Sequence, residues 1–84
     1  MAAEVIMYES PACPYCRAAR QLLDTKSVDY KAILVDSREV FEEMIERSGR
    51  KTVPQIFIGT AHVGGYDDIL ALERDEALDA LLAG

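Results

Sequence analysis

Two cysteines stand three positions apart in the stretch Cys13-Pro14-Tyr15-Cys16, and the chain has no others. A disulfide-stapled scaffold needs several pairs closing longer loops. A structural zinc site needs four ligands, normally completed by a second Cys or His pair, and the only other soft ligand is the single His62. Exchange between thiols and disulfides is the chemistry left for such a pair. Its attacking species is the thiolate. A helix beginning at Pro14 sets Cys13 against free backbone N–H groups and the positive end of the helix dipole, both of which favour a sulfur anion. Pro14 suits the first helical position, where its missing N–H has no helical partner to lose. Cys16 then lies one turn on, on the same side and deeper. The expected division makes Cys13 the nucleophile and Cys16 the resolving thiol. Arg17 and Arg20 are expected to add positive charge nearby.

A second constellation is Gly64-Gly65-Tyr66-Asp67-Asp68. Two glycines let the backbone approach a ligand closely. A helix starting there offers free N–H groups to a carboxylate, and Asp67 or Asp68 can take an ammonium group. Together these suit an α-amino acid head group, although either aspartate can equally serve as a helix cap. Thr52-Val53-Pro54, taken alone, reads as a turn entering a strand. His62 reads as an exposed strand residue, and Tyr8, Tyr30 and the methionines as packing.

Hydrophobic patterning supplies the elements that must hold these residues. Val5 to Tyr8 reads as a buried strand. A helix from Pro14 to about Lys26 carries Tyr15, Ala18, Ala19, Leu22 and Leu23 on one face. Tyr30 to Val35 is a second strand, and Asp36 or Ser37 caps a second helix. That helix turns Val40, Phe41, Met44 and Ile45 inward and its glutamates outward, and ends at Ser48-Gly49. Gln55 to Ile58, a Gly59-Thr60 turn and Ala61 to Val63 form a hairpin. Asp67 or Asp68 caps a last helix bearing Ile69, Leu70 and Leu72, with a break near Arg74-Asp75 before Leu78, Leu81 and Leu82. The order β-α-β-α-β-β-α implies a right-handed parallel crossover first and an antiparallel hairpin later. A four-stranded mixed sheet flanked by helices on both faces fits, the α/β architecture of the thioredoxin fold.

The 84 residues suit a single domain over residues 1–84. A formal charge of −6, from nine Lys/Arg and fifteen Asp/Glu, argues against nucleic acid and anionic membrane as partners. No apolar run nears the roughly 20 residues of a membrane span, and the first residues lack the features of a signal peptide. A cytoplasmic monomer is the expectation.

Over essentially its whole length the sequence resembles the glutaredoxins. Cys13-Pro14-Tyr15-Cys16 is the active-site form of the dithiol members. Thr52-Val53-Pro54-Gln55-Ile56-Phe57-Ile58 and Gly64-Gly65-Tyr66-Asp67-Asp68 resemble the family's second and third signatures, in the same order and nearly the same spacing. The chain is most similar to the short bacterial class. The resemblance implies a glutathione-dependent thiol–disulfide oxidoreductase acting on protein disulfides and glutathione mixed disulfides. Its partners would be glutathione and disulfide-containing or glutathionylated proteins, ribonucleotide reductase among the family's examples. Glutathione would be a reducing co-substrate, with no permanently bound cofactor and no metal.

The resemblance also implies a cis bond before Pro54, which puts the Val53 backbone beside the reactive sulfur for pairing with an extended substrate. By the same resemblance Tyr15 packs beside the thiol, Thr52 and Val53 hold the cysteinyl part of glutathione, and Gly65, Tyr66, Asp67 and Asp68 hold its γ-glutamyl end. Two positions depart from the family. Ser10 stands where many members have a Lys, and Phe41 where many have Arg or Gln, both serving the glycine carboxylate. Arg17, Arg38 and Lys51 are the candidate replacements, with the glycine end held loosely or differently. The missing Lys leaves a second reading, an electron donor reduced by thioredoxin reductase, against which Gly64 to Asp68 speaks. A third is an iron–sulfur carrier sharing a cluster through Cys13 and glutathione; members known for that usually lack a Pro after the first Cys.

Overall fold

In the computed structural model, which describes residues 3–84, eight elements follow one another. They are β1 (Val5–Glu9), α1 (Pro14–Thr25), β2 (Lys31–Leu34), α2 (Arg38–Ser48), β3 (Gln55–Ile58), β4 (Ala61–Gly64), α3 (Tyr66–Arg74) and α4 (Leu78–Ala83). The sheet order is β2-β1-β3-β4. β1 runs parallel to β2, with Met7 opposite Ala32. It is antiparallel to β3, with Met7 opposite Ile56, and β3 pairs antiparallel with β4. This is the thioredoxin fold read from the element order. The C-terminal segment is two helices, broken where Glu76 takes a left-handed backbone (φ 59°). No helix among the described residues is long and apolar enough to cross a membrane.

The two central strands carry the core because alternate side chains leave a strand on opposite faces. On one face Val5, Met7, Ile56 and Ile58 pack with Ala19 and Leu23 of α1, Ile69 of α3, and Leu78 and Leu82 of α4. On the other, Tyr8 and Phe57 pack with Met44 of α2. β2 is an edge strand and only four residues long, shorter than its run of strand formers suggests; its Leu34 is 44% exposed.

Local chemistry sets the helix ends. The Ser37 hydroxyl accepts the Val40 N–H at 3.2 Å, so Ser37, not Asp36, caps α2. Gly49 closes α2 in the left-handed conformation at φ 73°, where a side chain would be strained. α3 is capped by Gly65, not by either aspartate, and Asp68 reaches back from the first turn to the Gly65 N–H.

One inward–outward assignment is corrected. Tyr15 does not join the core stripe of α1; it is 61% exposed, and the stripe is Cys16, Ala19 and Leu23. The glutamates of α2 are exposed, as expected, and one of them still satisfies a buried group. Glu43 accepts a hydrogen bond from the Tyr8 hydroxyl, which in turn accepts one from Arg47 at 2.8 Å. The phenol is thereby satisfied although Tyr8 is fully buried, as burial of a hydroxyl requires. Burial foremost, then the bond to Glu43, pushes the Tyr8 pKa up.

Candidate active site

β1 delivers the chain to a turn closed by the Ser10 carbonyl, which accepts the Cys13 N–H at 3.3 Å. Cys13 is the N-cap of α1, with extended backbone (φ −96°, ψ 114°), and Pro14 takes the first helical position. The Cys13 Sγ accepts the Cys16 N–H at 3.3 Å. A cap normally uses a hydroxyl or carboxylate oxygen for this bond; here sulfur does it, so an amide dipole points at the sulfur.

The two thiols differ sharply. Both are free, Cys13 half-buried and Cys16 buried. The Cys16 thiol is pushed up to about 12, mainly by burial, against an opposing bond from the Ser10 backbone and with further upward help from Cys13. Cys16 is therefore a neutral thiol at ordinary pH, held beside a reachable one. Arg20 does not serve the sulfurs as expected: it is ion-paired with Glu9, whose side chain is mostly buried.

A cis bond joins Val53 and Pro54. The loop it belongs to touches Cys13, whose Sγ lies 3.7 Å from the Val53 carbonyl oxygen. Val53 is also part of the lining of a groove of about 290 Å³. Tyr15 forms one wall, Arg50 to Pro54 without Lys51 another, and Gly65 to Asp68 a third. The Tyr15 and Tyr66 rings lie 6.5 Å apart at their centres. A larger cleft of about 510 Å³ lies beside Val28 and Tyr30; neither lining includes a cysteine, and Cys13 meets the smaller groove through its contact with Val53. Among the described residues no cluster of His, Cys, Asp or Glu is arranged to hold a metal ion.

The structure thus brings Tyr15, Thr52, Val53, Pro54, Gly65, Tyr66, Asp67 and Asp68 around one groove. Arg17 lies outside that lining, exposed on α1 one residue beyond the buried Cys16. The other candidate replacement cations are also elsewhere. Arg38 pairs with Glu42 at 3.2 Å on the outside of α2, and Lys51 is exposed and off the lining. Phe41 packs against the Tyr8–Met44–Phe57 cluster.

Three residues at or behind the groove escaped the sequence reading. Arg50 lines it, and its Nη1 donates to Asp68 Oδ2 at 2.8 Å. The same oxygen accepts the Gly65 N–H at 2.9 Å. Arg50 first, then that amide, holds the Asp68 carboxyl below its usual range. Gln55, fully buried, donates from Nε2 to the Thr52 carbonyl at 3.0 Å and hydroxyl at 3.2 Å. Its Oε1 meets His62 Nε2 at 2.8 Å. Because a carboxamide oxygen only accepts, the proton of a neutral His62 belongs on Nε2. His62 is more than an exposed strand residue: it helps hold Gln55, which braces the loop carrying Thr52 and Val53.

Gly64 makes the aspartate's position testable. Its φ is 115°, and a Cβ there would land on the Asp68 carboxylate, with Cγ 2.8 Å away. Gly64→Ala is expected to lower stability by about 1–3 kcal/mol through backbone strain and to displace Asp68. Urea unfolding checks the first, and a raised KM for the groove's ligand the second. An alanine variant with wild-type midpoint and KM would contradict this placement of Asp68.

The glutaredoxin family profile matches residues 5–63. The glutaredoxin of Pseudomonas aeruginosa is 50% identical over 80 residues, covering 94% of this chain and 95% of that protein. The solution structure of glutaredoxin from Brucella melitensis superposes with a TM-score of 0.87 at 49% identity, covering 98% of this chain and 90% of the other. A crystal structure of a buckwheat glutaredoxin–glutathione complex gives a TM-score of 0.87 at 27% identity, covering 95% of this chain and 76% of the other.

Proposed function

This chain belongs to the glutaredoxin family and is a thiol–disulfide oxidoreductase; we propose that it draws its electrons from glutathione to reduce protein disulfides and glutathione mixed disulfides. One observation carries the reading. The half-buried Cys13 sulfur rests against the Val53 carbonyl, and Val53 continues into a groove that ends at Asp68 and the start of α3. A nucleophile at one end and an α-amino-acid receptor at the other match a γ-glutamyl-cysteinyl ligand whose own sulfur must meet Cys13. The buckwheat relative was crystallised with glutathione, which supports the same reading. Val53 lies outside the strands, so its backbone can pair with the extended cysteinyl segment by strand addition.

The reaction is thiol–disulfide exchange. With a glutathionylated substrate, the Cys13 thiolate attacks the glutathionyl sulfur, forming Cys13–S–S–glutathione. The substrate leaves as a thiolate and takes up a proton. A second glutathione thiolate then attacks the bound glutathionyl sulfur, releasing glutathione disulfide and restoring Cys13. With a protein disulfide, the mixed disulfide forms between Cys13 and the protein. Cys16 attacks Cys13, its proton passing to the departing protein thiolate, and a Cys13–Cys16 disulfide results. Two glutathione molecules reduce it, giving one glutathione disulfide. The two cysteines carry the electrons, glutathione is a co-substrate, and the reading uses no resident cofactor or metal.

The test is a reduction assay on a small glutathionylated thiol, coupled to NADPH consumption. Turnover is expected with glutathione and glutathione reductase and not with thioredoxin reductase alone. Turnover that depends on thioredoxin reductase and ignores glutathione would overturn the glutathione assignment and favour the electron-donor reading.

A further inference from the structure

We infer that His62, on the edge strand β4, is a positioning residue for the exchange reaction: through Gln55 it fixes the Thr52–Val53 backbone against which an extended substrate pairs. The inference rests on the glutathione reading above, and it assigns a role to a side chain that does not itself line the groove.

The β3–β4 hairpin sets the groups in line. Gln55 and Phe57 leave β3 on the same face because side chains alternate along a strand, and His62 stands opposite Phe57 on β4. The Phe57 and His62 rings lie 4.9 Å apart at their centres. Phe57 is in turn packed edge-on by Tyr8 and covered by the Arg47 guanidinium, 4.7 Å from the ring centre. The imidazole therefore rests on a ring that is itself held, and its Nε2 reaches Gln55 Oε1 at 2.8 Å. Desolvation foremost, then the Arg50 charge, lowers the His62 pKa against an opposing effect of Asp68. The ring is neutral at neutral pH and carries one proton.

A carboxamide is nearly symmetric in shape, so its partners decide which end points where. The Thr52 carbonyl can only accept, and the Gln55 nitrogen therefore faces Thr52, 3.0 Å from the carbonyl and 3.2 Å from the hydroxyl. The Gln55 oxygen is left to His62, which donates from Nε2. Gln55 is fully buried, so without that donor its oxygen has no solvent to turn to, and a buried acceptor without a partner is costly. Turning the amide over sets its oxygen against the Thr52 carbonyl. Either way the two bonds on Thr52 weaken. Besides Cys13, Gln55 is the one side chain among the described residues that bonds the backbone of Thr52 to Pro54. The loop therefore depends on a single brace, and His62 sets the direction in which that brace points.

The experiment uses the full chain carrying Cys16→Ser, so that the reaction stops after one step. The Cys13 thiolate attacks a disulfide, forms a mixed disulfide and releases one thiolate. Second-order rate constants are measured for glutathione disulfide, which offers a peptide backbone to Val53, and for bis(2-hydroxyethyl) disulfide, which offers none. Adding His62→Ala is expected to slow the first reaction about tenfold, as loss of a positioned approach does, and the second by less than about twofold. His62→Gln, which returns an N–H near the Nε2 position, should recover most of the lost rate. Nitrogen NMR should find the His62 proton on Nε2 at neutral pH. The Gln55 side-chain amide protons should exchange with water at least about tenfold faster in His62→Ala. Equal slowing with both disulfides overturns the inference, by showing that His62 acts on Cys13 or on the fold as a whole. Unchanged rates with both, or a proton found on Nδ1, also overturn it. A parent with His62 intact that shows no preference for glutathione disulfide overturns the glutathione reading itself, a separate result.

Discussion

Cys13→Ser is expected to abolish turnover on both substrate classes, by at least about a thousandfold, or about 4 kcal/mol of activation free energy. Every step of the proposed cycle forms or breaks a bond to that sulfur, and a serine hydroxyl is a poor nucleophile toward disulfide sulfur at neutral pH. Cys16→Ser should divide the two activities. Transfer of a glutathionyl group through Cys13 needs no second thiol, so deglutathionylation should stay within about twofold of wild type. Reduction of a protein disulfide should fall at least about tenfold, because glutathione from solution must replace a thiol already held next to the mixed disulfide. Burial keeps Cys16 neutral, with its pKa near 12, so it cannot substitute as the first attacker in the Cys13 variant. Parallel assays on a glutathionylated peptide and a protein disulfide read this out. Equal loss of both activities in Cys16→Ser would refute the division between nucleophile and resolving thiol.

What could be read from the chain follows the range of the interaction concerned. The start of α1 at Pro14, the Ser37 cap and the Gly49 stop depend on contacts within one turn, and residue types report those directly. The element order followed from hydrophobic periodicity, and the order alone restricts the topology severely. Periodicity puts Tyr15 on the inward face because neighbouring helix positions differ by only about 100°. Which of Tyr15 and Cys16 turns inward is decided by where the sheet lies, not by the helix. The Arg50–Asp68 pair spans 18 residues and the Tyr8–Glu43 bond spans 35, and no local pattern encodes either. The contact between His62 and Gln55 requires the β3–β4 register, including its irregularity between Ile56 and Phe57. A sequence reading that supplied the hairpin still lacked that register. The cis bond at Pro54 is implied by family resemblance, since spacing alone reads Thr52-Val53-Pro54 as a simple turn.

Leu23→Ala is expected to cost about 3 kcal/mol of stability, within the range found for buried leucines truncated to alanine. Leu23 is fully buried and belongs to the cluster formed with Val5, Met7, Ile56, Ile69 and Leu78. Its removal leaves a void between α1 and the sheet that close-packed neighbours cannot easily fill. For 84 residues the total stability is on the order of 4–13 kcal/mol, so this loss is a large share of it. The melting temperature should fall by roughly 10–20 °C. Leu34→Ala removes the same atoms from a site 44% exposed on the edge strand and should change stability by about 0.5 kcal/mol or less. Activity should not follow the same order. The groups that act on Cys13, namely the Cys16 N–H and the Val53 carbonyl, lie at the opposite end of α1 from Leu23. The folded fraction of Leu23→Ala at 25 °C should therefore keep its turnover within about twofold, consistent with additivity between distant sites. Calorimetry paired with the coupled assay separates the two effects. A Leu23→Ala protein that melts like wild type would contradict the packing of α1 on the sheet. One that is fully folded yet inactive would show that the reactive end of the helix depends on its far end.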